Sequence, residues 1–175
     1  MNELDYNIVL IGFMGSGKST VSAYLKKAFD MDVVEMDEVI EKEQGMRIPE
    51  IFEKYGEEYF RNLETQLLIN MQSKHNVIIS CGGGVAMRER NVVEMKKNGK
   101  VVLLQAEPET ILNRVKNSDE RPLLNGNKNV KYIAELMEKR REKYEAAADI
   151  TVHTDGKSVA EICEEIIQKL LSEEK

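Results

Sequence analysis

The run Asn7-Ile8-Val9-Leu10-Ile11-Gly12-Phe13-Met14-Gly15-Ser16-Gly17-Lys18-Ser19-Thr20 decides how this chain folds. Five residues read as a buried strand, residues 12–19 match G-x-x-x-x-G-K-[ST] in full, and an amphipathic stretch follows to Phe29. A strand, a glycine-rich loop and a helix are the setting in which that loop cradles phosphates. Glycines let backbone N–H groups turn inward without a Cβ in the way. The helix beginning near Lys18 adds the positive end of its dipole. Lys18 would reach the β- and γ-phosphates of a nucleotide, and the Ser19 hydroxyl would ligate Mg²⁺. The bland alternative, a glycine turn with an incidental lysine, does not call for eight matching residues in this setting. A bound nucleotide is the expectation.

Outward from this run, short apolar segments alternate with stretches of helical period. Strands are expected at 7–11, 32–35, 77–80, 101–104 and 150–153. Helical segments lie around 19–29, 56–73, 88–98, 109–116, 130–147 and 158–171. Nearly continuous apolar strands joined by helical crossovers predict an α/β fold in three layers, a five-stranded parallel sheet covered on both faces. Residues 36–73 hold no convincing strand and are punctuated by Gly45, Pro49 and Gly56, so a helical insertion is expected there. Residues 117–129 form a polar loop around Arg121-Pro122-Leu123-Leu124, of a length that is usually functional or mobile.

The 175 residues fit one compact domain. With no Trp and aromatics at 6%, the core must come from Val, Ile, Leu and Met. A formal net charge of −6 argues against nonspecific binding to nucleic acid or to an anionic membrane. Cys81 and Cys163 match no metal spacing and read as buried thiols. Without a signal-peptide pattern or a run long enough to span a bilayer, a cytoplasmic protein is expected. No heptad or long apolar edge is visible, and a monomer is expected.

A second group of residues has the look of an acceptor site. Glu35-Met36-Asp37 sits at the end of the second strand, where ligands gather in open α/β sheets. If that strand runs on, Glu35 and Asp37 face one side; Asp37 could equally cap the helix that follows. Arg61 lies on a helical stretch with Glu57, Glu58 and Glu64, any of which could simply pair with it. Gly82, Gly83 and Gly84 follow the third strand, and three glycines in a row point to backbone lying against a ligand. Arg140 and Arg141 share a helix, and at least one should be solvated. The chain lacks the Asn-Lys-x-Asp motif of GTPases, since Asn127-Lys128-Asn129 has no aspartate, and it is short for a motor ATPase. A small-molecule kinase is left. Gluconate and nucleoside monophosphate kinases remain rivals, as does a regulatory nucleotide-binding module.

Taken in order, these features resemble the shikimate kinase family over essentially the whole chain. The matching pieces are residues 12–20, Asp37 to Glu41, Ile51-Phe52, Gly56-Glu57, Phe60-Arg61, Glu64, residues 82–84, residues 121–124, and Arg140 with Tyr144. The resemblance implies a P-loop kinase that moves the γ-phosphate of ATP, with Mg²⁺, to the 3-hydroxyl of shikimate. It implies Gly15, Ser16, Gly17, Lys18, Ser19 and Thr20 on the nucleotide phosphates, Arg114 on the adenine, and Lys157 in a loop bordering it. It assigns Asp37 to the acceptor hydroxyls and as the base, and Arg61 and Arg140 to the acceptor carboxylate. Gly82, Gly83 and Gly84 would lie on the ring, and Arg121 would close with a lid at 117–129. Glu35 departs from the aspartate usual in the family, and its extra methylene bears on the metal side of the site.

Overall fold

The computed structural model describes residues 3–116 and 129–173. Strands β1 (Asn7–Ile11), β2 (Asp32–Glu35), β3 (Val77–Ser80), β4 (Gly99–Gln105) and β5 (Ile150–His153) form one sheet in the order β2-β3-β1-β4-β5, every pair parallel. Helices are α1 (Lys18–Phe29), α2 (Met36–Gln44), α3 (Ile48–Tyr55), α4 (Glu57–Asn70), α5 (Glu89–Lys96), α6 (Pro108–Val115), α7 (Val130–Ala147) and α8 (Val159–Glu173). Single 3₁₀ turns occupy Met71–Ser73 and Val85–Met87.

The central strand shows why residues 8–11 are apolar without a break. All five residues of β1 are buried, and successive side chains enter opposite cores. Val9 and Ile11 join a cluster with Met36, Ile51, Phe60, Leu68 and Ile111. Ile8 and Leu10 join another with Val21, Leu25, Cys163 and Ile166. The three layers and five parallel strands expected from the alternating pattern are therefore present.

β4 starts at Gly99, two residues before the expected 101, because Asn7 and Ile8 pair with Gly99 and Lys100. These two positions are half-buried and carry no apolar signal. The helical insertion resolves into α2, α3 and α4, broken where Gly45 and Gly56 take positive φ of 67° and 87°. No helix among the described residues is long and apolar enough to cross a membrane.

The strand order sets the place of the site. From β1 the chain runs out to β2, returns to β3 on one flank of β1, and crosses to β4 on the other. Ligands of open α/β sheets bind beyond the carboxyl ends of the strands at such a reversal. Residues 12–17 leave β1 there, and Gly82, Gly83 and Gly84 follow β3 on the same side.

Candidate active site

One rim of the cleft is the loop after β1. Gly17, at φ 106°, is the N-cap of α1, and Gly12, at φ 149°, starts the turn. A Cβ on Gly12 would stand 2.5 Å from the Leu104 carbonyl oxygen, so the loop closes only around glycine. Lys18 is nearly buried, and its Nζ donates to the carbonyls of Gly12 at 2.6 Å and Phe13 at 3.1 Å. Its charge thus lies over the loop. Arg114, in the last turn of α6, donates from Nη1 to the Gly15 carbonyl at 2.9 Å. Gly15, Gly17, Lys18, Ser19, Thr20 and Arg114 all line one cleft of about 560 Å³, and buried Ser16 lies between them.

Opposite stand the carboxylates. β2 ends at Glu35, so the alternation that would have placed Glu35 and Asp37 on one strand face does not operate. Instead Glu35 is the N-cap of α2 and Asp37 sits in its first turn, yet both line the cleft. Asp37 is therefore not a helix cap. Burial raises the Glu35 pKa, while hydrogen bonds with Ser80 and Ser19 act the other way.

Arg61, on α4, bonds Glu64 at 2.8 Å and lies 3.7 Å from Glu57. Its guanidinium lies against Gly84: a Cβ there would meet both Nη1 and Nη2 at 2.6 Å. Arg140 comes from the other side, on α7, buried, its Cζ 5.7 Å from the Phe13 ring centroid. Arg140 Nη1 would lie 3.5 Å from a Cβ on Gly83 and has no hydrogen-bond partner among the described residues. One turn further on, Tyr144 donates its hydroxyl proton to the Gly83 carbonyl. A Cβ on Gly82 would fall 3.0 Å from Asp37 Oδ1 and 3.1 Å from Glu64 Oε2. The triple glycine is thus the floor on which two guanidinium groups and two carboxylates meet.

That floor, facing a phosphate loop, is decisive. The chain belongs to the shikimate kinase family. The model of that family, described as "Shikimate kinase", matches residues 14–171. A shikimate kinase of Persephonella marina is 45% identical over 164 residues, covering 94% of this chain and 98% of that protein. The structure of a shikimate kinase from Acinetobacter baumannii in complex with shikimate superposes with a TM-score of 0.91 at 33% identity, covering 96% of this chain and 94% of that one. The shikimate kinase of Aquifex aeolicus gives 0.82 at 41% identity, over 95% and 97% of the two chains.

Two expectations fall elsewhere. Arg121 and the expected lid at 117–129 lie outside the described residues, except Asn129, whose side chain caps α7 by accepting from Tyr132 N at 2.8 Å. Lys157 turns its ammonium to Glu165 on α8 at 2.8 Å and does not line the cleft. Arg141 is the solvated member of its pair, held by Glu138 and Glu145.

Sequence reasoning undervalued Glu64, which is fully buried beside Arg61 and Asp37. Burial pushes its pKa up to about 7 and Asp37 adds to this, against the pull of Arg61. A signal was present. Phe60, Glu64, Leu67 and Leu68 form the buried stripe of α4, and a glutamate on such a stripe has a task.

Proposed function

We infer that this chain transfers the γ-phosphate of ATP to the 3-hydroxyl of shikimate, giving shikimate 3-phosphate and ADP on the route to chorismate and the aromatic amino acids. The observation that carries this reading is the run of three glycines, with Asp37 against Gly82, Arg140 against Gly83 and Arg61 against Gly84, in the cleft that the Lys18 loop also lines. A carboxylate is matched by planar guanidinium groups, and two of them on separate helices also fix the ring's orientation. Gly82, Gly83 and Gly84 leave the ring room to lie on backbone.

In this scheme the loop amides and Lys18 hold the transferring phosphate, and Thr20 and Arg114 serve the rest of the nucleotide. Asp37 stands beside the acceptor hydroxyl, where its carboxylate orients the O–H and accepts its proton as the bond to phosphorus forms and the bond to ADP breaks. Phosphoryl transfer asks chiefly for alignment and charge neutralisation, and the cleft's cations supply both. Arg121 would add to that neutralisation from the lid segment.

The donor set fits Mg²⁺. Ser19 and Glu35 are hydrogen-bonded to each other at the phosphate end of the cleft, which provides two hard oxygen donors. Such an ion is ordinarily held by one or two protein oxygens together with phosphate and water. Glu35 so offers a carboxylate on the metal side, at the position where the family usually has an aspartate. When bound, Mg²⁺ neutralises charge on the β- and γ-phosphates.

The test is ADP release by the purified chain with shikimate, gluconate, AMP or no acceptor. Shikimate alone should support turnover. Turnover without shikimate, or none with it, would refute the reading.

A further inference from the structure

The turn after β5 carries polar groups to which phosphoryl transfer gives no direct task. Thr154 is almost fully buried, at 2% exposure. Its hydroxyl donates to the Gln105 carbonyl at 3.2 Å and accepts from Arg114 Nη1 at 3.4 Å. The same Nη1 holds the Gly15 carbonyl at 2.9 Å. One hydroxyl therefore ties the end of β4 to the arginine that fastens the phosphate loop.

Asp155 acts at the other end of α6. Its carboxylate accepts from the backbone N–H of Glu107 at 3.2 and 3.0 Å and from the Thr110 hydroxyl at 2.5 Å. Glu107 itself, the N-cap of α6, makes no capping bond with its own side chain. A residue 48 positions away in sequence supplies the cap instead. Burial alone would raise the Asp155 pKa, but the bonds from Thr110 and Glu107 and the nearby Arg114 charge bring it below the ordinary range. α6 is only eight residues long, so its first turn is held by Asp155 and the arginine of its last turn by Thr154.

We propose that Thr154 and Asp155 are positioning residues for the nucleotide half of the cleft: through α6 and Arg114 they fix the Gly15 carbonyl, and with it the phosphate loop, before nucleotide binds. The inference rests on the reading that residues 12–19 bind nucleotide. An arginine side chain left to itself samples many rotamers, and ordering it on binding weakens affinity. Tethering its guanidinium to Thr154 and Gly15 does that ordering in advance. Valine has the shape of threonine but neither donates nor accepts, whereas serine keeps the hydroxyl.

The experiment uses the full chain with Thr154→Val, Thr154→Ser, Asp155→Ala and Lys18→Ala. ADP affinity is measured by calorimetry without acceptor, and KM is measured for ATP and for shikimate. Thr154→Val and Asp155→Ala should weaken ADP binding and raise the ATP KM by about fivefold or more, the order expected for one hydrogen bond, with the shikimate KM within twofold. Thr154→Ser should restore both nucleotide constants. Parent-like ADP affinity in both Thr154→Val and Asp155→Ala, with Lys18→Ala impaired, would overturn this inference alone. Parent-like ADP affinity in Lys18→Ala would overturn the nucleotide reading and this inference with it. Asp155 is half-buried, so its variant remains informative if Thr154→Val does not fold.

Discussion

Replacing Gly84 by alanine should separate acceptor binding from nucleotide binding. Gly84 has φ −97° and ψ −1°, which alanine adopts without strain. The obstacle is Arg61. A new Cβ would stand 2.6 Å from Nη1, 2.6 Å from Nη2 and 2.7 Å from Cζ, whereas an ordinary contact needs about 3.5 Å or more. The guanidinium must therefore retreat by about 1 Å. That withdraws it from the acceptor carboxylate and strains its 2.8 Å bond to Glu64. A charge-assisted hydrogen bond contributes about 1.5–3 kcal/mol, so shikimate affinity should fall by about ten- to 150-fold. Backbone stability should not suffer, because glycine to alanine at a permitted φ and ψ is neutral or mildly stabilising. The assay is continuous ADP release, with shikimate varied at saturating ATP and then the reverse. The shikimate KM should rise at least about tenfold while the ATP KM holds. A shikimate KM within twofold of the parent, or both KM values rising together, would refute the placement of Arg61.

Two further predictions concern the same floor. Glu64 titrates near 4.5 in the unfolded chain and about 7 when folded, so between those pH values the folded state keeps a proton that the unfolded state has lost. Its contribution to stability is full below pH 4.5 and is lost as pH rises to about 7, a change of about 3 kcal/mol; in urea unfolding, Glu64→Gln should therefore gain about that much on the parent between the two pH values, and parallel curves would contradict it. Tyr144→Phe removes the hydroxyl that holds the Gly83 carbonyl and should raise the shikimate KM by about fivefold with ADP affinity unchanged, a result that an equal loss for both ligands would exclude.

Much of the architecture can be read from the chain because parallel strands buried on both faces are nearly continuous apolar runs, as in β1 after Asn7. The start of β4 escapes notice because Gly99 and Lys100 pair without being fully buried. Asp37 and Arg61 stand out by residue type, but their geometry does not. β2 stops two residues short of Asp37, so alternation does not place it, and Arg61 does bond its helix neighbour Glu64 as a plain ion pair would. What distinguishes that pair is burial, and the apolar stripe of α4 carries the evidence. Arg140 differs from Arg141 through helical phase, since Tyr144 and Ala147 share its buried face. Thr154 and Asp155 leave no local trace, because the groups they bind lie 40 and 48 residues away.

The central claim is that a hydroxylated carboxylate lies between Asp37 and the two arginines, with one hydroxyl facing the transferred phosphate. Phosphorus–proton NMR of the product formed from ATP and shikimate tests it most directly. One ADP should appear for each shikimate consumed, with the new phosphomonoester coupled to the proton on carbon 3. Phosphate on another hydroxyl, or free phosphate in place of a phosphorylated acceptor, would contradict it.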